Sequence, residues 1–251
     1  MPKSIEIIAV NGIPEVQSGD DVTNLIVSAL QTQDIILESN DILVVTQKIV
    51  SKAEGRIIDL NNIKPSPLAS RFAEQWDKDP KHVELMLSES RRIVRMEKGN
   101  IITETEHGFI CAASGVDASN IPGDNKACLL PINPDESARS IMLGIKAALG
   151  INTGVIISDT WGRPWREGAI NVAIGVAGIN PLKDYKGTID ASGHLLRVST
   201  IAIADELASA AELVTGKSDN IPLTIIRGYI YESHPDSISS LLRDPAMDLF
   251  R

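Results

Sequence analysis

The sequence is poor in aromatic residues and in cysteine. Its 251 residues include 3 Phe, 3 Trp and 3 Tyr, yet 43% of the residues are hydrophobic. A full core is therefore expected, built from Ile, Val, Leu and Ala, and wholesale disorder is excluded. The 2 cysteines, Cys111 and Cys128, lie in apolar stretches without metal-ligand spacing. We expect two buried free thiols in a reducing compartment.

An excess of positive charge and long hydrophobic runs are also missing. With 24 basic and 33 acidic residues the formal charge is −9, which argues against a general nucleic-acid binder. No run approaches the roughly 18 apolar residues of a membrane span. The first residues, MPKSIEIIAV, are typical of a strand and not of a signal peptide. We therefore expect a soluble cytoplasmic protein, although a few local cations suffice for a small anionic ligand.

Strand and helix patterns intermingle along the chain, which predicts the α/β class with mixed α+β organisation. The strand segments are rich in Ile and Val. They are Ile5–Val10, Ile42–Thr46, Arg92–Met96, Ile101–Thr105, Phe109–Ala113, Gly154–Ser158 and Leu223–Arg227. Helical periodicity covers Asp21–Gln33, Ser66–Asp77, Pro80–Ser88, Pro134–Leu149 and about Thr200–Val214, the last ended by Gly216. Gly175 and Gly178 are expected to permit close packing.

The strongest chemical signal follows an apolar strand. Gly154-Val-Ile-Ile-Ser-Asp-Thr160 places Asp159 and Thr160 at the carboxyl end, where α/β sheets bind ligands. Their oxygens suit a hard cation. The loop that follows, Trp161–Gly168, adds Arg163 and Arg166 for phosphate or carboxylate recognition. The alternative is a turn capped by Asp159 with solvated arginines.

Two weaker signals leave structural alternatives open. Asp117 and Asn120 fall on one side if their segment turns helically, although Asx turns explain them equally. Lys48, Lys52 and Arg56 recur every four residues and form a basic stripe, or else an ordinary solvated helix face.

Some motifs are absent. Gly216-Lys217-Ser218 fails as a P-loop, because the position five residues earlier, where this motif needs glycine, is Ala211. A turn that holds phosphate through Lys217 and backbone N–H groups stays open as an alternative. The 4 histidines lack metal-site spacing, and no serine-hydrolase elbow is present.

In combination, the motifs resemble one family. SKAEGR, SGVDASN, GVIISDTWGRPWREG, AIGVAGINPLKDYKG and IADELASAAELVTG occur in this order. Together with Gly12-Ile13-Pro14 they are similar to the coenzyme F420-0:γ-glutamyl ligases, from about Ile5 to Gly228. The resemblance implies one domain over residues 1–251, with mixed sheets and flanking helices and no C-terminal flavin-reductase-like domain.

The same resemblance implies a reaction and its partners. Such ligases use GTP and Mg²⁺ or Mn²⁺, with K⁺ as a further possible ion, and form homodimers. They add L-glutamate to F420-0, often with further γ-linked glutamates, through an acyl phosphate. Such chemistry depends on positioning and charge neutralisation around the phosphates.

Individual residues take roles from the resemblance alone. Asp117 and Asp159 correspond to ligands of one metal ion and Thr160 to a ligand of a second. The residues that correspond to GTP contacts are Ile13, Pro14, Glu15, Val16, Gln47, Lys48, Lys52, Asn120, Thr215, Gly216, Lys217, Ser218, Asp219, Asn220 and Ile221. No single general base is assigned.

Two departures from the family pattern bear on the metal site. Archaeal members read Met-Gly-Glu where this chain has Thr215-Gly216-Lys217, and Ser-Thr where it has Gln47-Lys48. A protonated lysine cannot ligate a metal ion, so either Asp219 takes over or Lys217 replaces the ion's charge. The alternatives to the ligase are a catalytically silent nucleotide- or F420-binding relative and a ligase of the same fold with another acceptor.

Overall fold

A computed structural model describes residues 4–119, 123, 125–235 and 237–249 of the chain. It confirms the mixed α/β class. The helices are α1 (Val22–Thr32), α2 (Gln47–Ala53), α3 (Pro67–Trp76), α4 (Pro80–Ser88), α5 (Pro134–Leu149) and α6 (Ile203–Thr215). The strands are β1 (Glu6–Val10), β2 (Ile42–Thr46), β3 (Ile57–Asp59), β4 (Ser90–Glu97), β5 (Asn100–Thr105), β6 (Ile110–Ala112), β7 (Lys126–Cys128), β8 (Gly154–Arg163), β9 (Arg166–Ala177), β10 (Lys183–Asp184), β11 (Thr200–Ile201) and β12 (Leu223–Arg227).

A five-stranded sheet in the order β1-β12-β2-β8-β9 forms the centre of the molecule. Strands β2 and β8 run parallel, with Thr46 opposite Ser158, while β12 is antiparallel to β1 and to β2. Strands β1, β2 and β8 therefore point the same way. The Ile- and Val-rich sequences of β2 and of the first half of β8 match their burial, since strands covered on both faces carry continuous apolar runs.

The main core lies between this sheet and helices α1, α5 and α6. Local signals fix the ends of α5: the Asn133 side chain accepts a hydrogen bond from the Glu136 amide, Pro134 occupies the first turn, and Gly150 ends the helix with φ of 74°. Gly175 on β9 packs against the start of α5, as the sequence predicted. A Cβ atom at Gly175 would lie 2.5 Å from the backbone of Pro134.

A second group of elements surrounds two smaller cores. Sheet β4-β5-β6, the pair β3-β7 and helices α3 and α4 enclose clusters centred on Leu129 and on Phe72. The backbone of Asp117 pairs with Cys128 on β7 through two hydrogen bonds of 2.7 and 3.0 Å. That pairing fixes the segment before Asp117 against the rest of this group.

Most predicted elements are present, and two interpretations were wrong. Helices α4 and α5 and strands β2 and β12 have the predicted bounds. The expected loop Trp161–Gly168 is instead the end of a long hairpin, because β8 continues to Arg163 and β9 begins at Arg166. The basic stripe is shorter than predicted, since α2 ends at Ala53 before Arg56.

Both cysteines are free and buried, as expected. Burial raises the pKa of the Cys111 thiol to about 12 and that of Cys128 to about 11. Within the described ranges, none of the helices combines the length and apolar character needed to cross a bilayer.

Gly175→Ala should destabilise the protein by about 1–3 kcal/mol, because the added methyl group overlaps the backbone of α5. The measurement is the free energy of unfolding in urea. Gly162→Ala is the matched control, since a Cβ at Gly162 meets no atom within 4 Å. Equal stability of the two variants would contradict the close packing.

Candidate functional site

A cavity of about 440 Å³ opens at the end of the central sheet where β2 terminates. It brings together most of the residues singled out from the sequence. The lining residues are Ile13, Pro14, Glu15, Val16, Thr46, Gln47, Lys48, Ile49, Lys52, Asp117, Ser158, Asp159, Thr160, Asn171, Glu212, Thr215, Gly216, Lys217, Asn220, Ile221 and Pro222. Ser218 and Asp219 lie in the same loop without lining the cavity, and Asn120 lies outside the described residues.

Strand register explains why distant segments meet here. Residues 13–16 follow the carboxyl end of β1, and α2 follows the carboxyl end of β2. The parallel pairing aligns that end of β2 with Ser158. Because β12 is antiparallel to β2, the loop 216–222 reaches the same end before β12 begins. Ligand sites in α/β sheets occupy this position.

Asp159 occupies the inner wall of the cavity. Its Oδ2 accepts a hydrogen bond of 2.8 Å from the indole Nε1 of Trp161, two residues further along β8. Burial, assisted by the negative charge of Asp117, raises the pKa of Asp159 to about 6. The protonation state of Asp159 therefore changes at about pH 6.

Asp117 lies near Asp159 and carries the opposite pKa shift. Burial alone would raise the pKa of Asp117, but hydrogen bonds from Lys48 and Ser119 outweigh burial and hold the pKa below its usual value. The Lys48 ammonium lies 2.8 Å from Asp117 Oδ2 and 2.8 Å from Ser119 Oγ. Of the two alternatives for this segment, the structure forms the Asx turn, since the Ser119 amide donates to Asp117 Oδ1 at 2.7 Å. The Asp117 backbone is not helical but in an extended bridge with Cys128.

The loop before Asp117 is conformationally unusual. Ala113, Ser114 and Gly115 all have left-handed φ values of 56°, 56° and 69°, a conformation that costs about 1–2 kcal/mol per non-glycine residue. Buried hydroxyl groups hold it. Ser114 Oγ donates to the Met86 carbonyl at 2.6 Å and accepts from Thr103 Oγ1 at 2.8 Å.

Two further lining residues, Asn171 and Glu212, were not predicted from the sequence. Thr160 Oγ1 donates to the side-chain Oδ1 of Asn171 at 2.7 Å, and the backbone N–H of Asn171 donates to Glu212 Oε2 at 3.0 Å. Glu212 lies on α6, whose sequence reads as an ordinary amphipathic helix. Its position four residues before the Gly216 cap was the available signal.

Lys52 and Lys217 add positive charge to the cavity lining. Lys52 is 8% exposed and lies 2.6 Å from Glu15 Oε1. Lys217 belongs to the loop after α6, whose predicted cap is present, since the Gly216 amide donates to the Glu212 carbonyl. Arg163 turns away from the cavity and donates to the Glu167 and Gly168 carbonyls of its own hairpin.

Gln47 offers an unused hydrogen-bond donor. Its side chain is 1% exposed, and its Oε1 accepts from Ser51 Oγ at 2.7 Å. The other end of the amide, Nε2, is buried with no partner among the described residues. Since buried donors are normally paired, this group is suited to a ligand acceptor.

The oxygen atoms of Asp117, Asp159 and Thr160 are of the type that Mg²⁺ and Mn²⁺ prefer. Over the described ranges, no cluster of three or more His, Cys, Asp or Glu side chains is arranged to hold a metal ion. The two carboxylates for one ion, and the Thr160 hydroxyl for a second, nevertheless suit ions that take their remaining ligands from water and substrate phosphates, as Mg²⁺ commonly does.

Comparison with known proteins identifies the family. The family model described as F420-0:Gamma-glutamyl ligase matches residues 12–228. The chain belongs to this family. It is 48% identical to the coenzyme F420:L-glutamate ligase of Methanothermobacter thermautotrophicus, over 98% of this chain and 99% of the relative. The ligase of the same name from Methanopyrus kandleri is 42% identical over 94% of each chain, and that of Methanocaldococcus jannaschii is 47% identical over 86% of each.

Ser114→Ala should lower the free energy of unfolding by about 1–3 kcal/mol, because the Met86 carbonyl and the Thr103 hydroxyl lose a buried partner. Urea unfolding measures the loss. The control is Ser70→Ala, which removes an exposed hydroxyl that bonds only its own helix at Ser66 and should change stability by less than about 0.5 kcal/mol. Matching losses in the two variants would contradict the role of Ser114.

Proposed function

We propose that this family member is a coenzyme F420-0:L-glutamate ligase that uses GTP and a divalent cation. The observation that carries the proposal is that Asp117, Asp159, Lys48, Lys52 and Lys217 all line one cavity at the end of the central sheet. A nucleoside triphosphate with its metal cation needs this mixture, since lysines neutralise the phosphates and carboxylates bind the cation. The names of the relatives support F420-0 and glutamate as the other substrates.

In this proposal the lysines that line the cavity bind the phosphates of GTP. Lys52 and Lys217 neutralise phosphate oxygens, and the backbone of residues 215–221 surrounds the same groups. Gln47 Nε2 donates to the nucleotide, which gives that buried amide a partner. Lys48 shares its charge between Asp117 and the phosphates, because its ammonium has three donors.

In this proposal Asp117 and Asp159 would be the carboxylate ligands of one Mg²⁺ or Mn²⁺ ion. Thr160 would supply a hydroxyl oxygen to a second ion. When bound, these ions neutralise charge on the transferring phosphoryl group. Glu212 accepts a hydrogen bond from the backbone N–H of Asn171 and so holds this residue in place. The Asn171 side-chain oxygen accepts from Thr160 and fixes the direction of its hydroxyl.

The reaction proceeds in two steps in this proposal. A carboxylate oxygen of F420-0 attacks the γ-phosphorus of GTP, the bond to the β-γ bridging oxygen breaks, and GDP leaves. The amine of L-glutamate then attacks the acyl carbon, inorganic phosphate leaves, and the amine loses a proton to solvent. The chain's own contribution is to align the attacking carboxylate oxygen with the β-γ bridging oxygen of GTP and to surround the phosphoryl group with fixed charges.

The deciding experiment incubates the purified chain with F420-0, L-glutamate, GTP and Mg²⁺ or Mn²⁺, followed by mass spectrometry. The expected product is heavier by one or more glutamyl units, with one GDP formed per unit added. GDP formation without added mass would indicate that the phosphoryl group is transferred to water. Absence of both products with metal-dependent GTP binding would indicate another acceptor or a catalytically silent relative. Light scattering in the same buffer tests the expected homodimer.

Asp159→Asn should reduce metal-dependent turnover about 100-fold or more, because charge on the phosphoryl group loses several kcal/mol of neutralisation. Steady-state GDP release measures the effect. Asp34→Asn is the control: Asp34 is exposed, has a left-handed φ of 54° that Asn tolerates, and lies outside the cavity. Turnover within tenfold of the wild type would remove Asp159 from the metal site.

The affinity for Mn²⁺ should rise with pH through about 6, the pKa of Asp159. Below this pH the carboxyl group is protonated and must release its proton before it can bind a cation, so the affinity falls by up to tenfold per pH unit. Asp117 stays ionised over this range because its pKa is lowered. Calorimetric titration between pH 5 and 8 measures the profile. A flat profile in the wild type would argue against ligation by Asp159.

Lys217→Glu should weaken GTP binding about tenfold and change the Mn²⁺ dependence of turnover, because it exchanges a cation for a potential metal ligand in the cavity wall. The KM for GTP and the Mn²⁺ titration measure both effects. Lys64→Glu makes the same charge change at an exposed position outside the cavity. Identical behaviour of the two variants would exclude the loop 215–221 from the nucleotide site.

A further inference from the structure

We infer that Trp161 is a positioning residue that holds the Asp159 carboxylate in the orientation required for cation binding. The inference rests on the proposed function, since it concerns the proposed ligand Asp159. It begins with one contact: the indole Nε1 of Trp161 donates to Asp159 Oδ2 at 2.8 Å. The carboxylate also accepts a backbone hydrogen bond from Thr160. The indole and this amide together fix its orientation, while its remaining lone pairs stay available for a cation.

The indole is itself fixed by aromatic packing. Phe109 meets Trp161 edge-to-face, with ring centroids 5.4 Å apart and an interplanar angle of 64°. His107 stacks on Phe109 at 5.4 Å and 16°, and its Nε2 lies 2.8 Å from the Pro131 carbonyl. Phe109 is 2% exposed. A ring held by buried neighbours has few alternative rotamers, so its N–H points in one direction.

The local strand geometry makes this contact possible. Strand β8 continues past Asp159, and residues two apart on a strand project on the same face. Asp159 and Trp161 satisfy that spacing, and a register irregularity follows between Trp161 and Arg163. Had β8 ended at Ser158, as the sequence predicted, the two side chains would have had no fixed relation.

Residues that hydrogen-bond to a metal ligand and orient it, without touching the metal themselves, typically contribute about 10–100-fold to metal affinity. Trp161→Phe keeps an aromatic ring beside Phe109 but removes the N–H donor. We therefore expect the Kd for Mn²⁺, measured by calorimetry without GTP or F420-0, to rise about tenfold at fixed pH. In the full reaction kcat should fall while the KM for GTP stays within twofold, because neither Trp161 nor Asp159 is among the proposed GTP contacts.

Trp165→Phe is the matched control, since Trp165 is 81% exposed at the tip of the same hairpin and does not line the cavity. The control should bind Mn²⁺ as the wild type does. If Trp161→Phe fails to fold, Phe109→Leu removes the edge-to-face contact instead and should also raise the Kd. A Kd unchanged in the variant tested overturns the inference. Wild-type protein that binds no Mn²⁺ overturns the proposed metal site itself, so the two failures are distinguishable.

Discussion

The parallel pairing of β2 with β8 is the constraint on which the rest of the site depends. Thr46 lies opposite Ser158, so β2 ends beside the residue that precedes Asp159, while β8 continues to Arg163. Lys48 enters α2 on one side, and Asp159 continues along β8 on the other. A shift of one residue in this pairing would turn Asp159 to the opposite face. The buried Ile and Val side chains of both strands resist such a shift, so the hydrophobic core determines the geometry of the charged cavity.

The cavity also depends on a balance of charges that the overall composition conceals. The chain has a formal charge of −9, yet Lys48, Lys52 and Lys217 line one cavity. Lys48 and Lys52 are each paired with a carboxylate, Asp117 and Glu15. Such pairing lowers the cost of partly burying the lysines. An anionic ligand that displaces a carboxylate from a lysine gains a cation already held in position, which reduces the cost of ordering that side chain on binding.

The sequence predicts the parts of this site that follow directly from strands. Asp159 and Thr160 were found because an apolar strand precedes them, and Lys48 and Lys52 because one helical turn aligns them. Glu212 and Asn171 were missed, since a carboxylate on an amphipathic helix and an amide within a strand have ordinary local patterns. Their role depends on the packing of α6 against β9, which brings together residues 41 positions apart. The hairpin of β8 and β9 was missed because Gly162 and Pro164 favour a loop locally, whereas cross-strand pairing continues to Arg163.

The small sheet β4-β5-β6 contributes no residue to the cavity lining, yet it contacts the supports of both acidic residues. Thr103 on β5 donates to Ser114, which holds the left-handed turn before Asp117. Phe109, between β5 and β6, packs on Trp161, which binds Asp159. Since the two carboxylates lie on separate segments, their separation depends on how this sheet packs against β8. Substitutions of its buried residues can therefore alter the cavity without touching a proposed ligand. They can reach both carboxylates because Ser114 contacts this sheet and Trp161 contacts the loop between two of its strands.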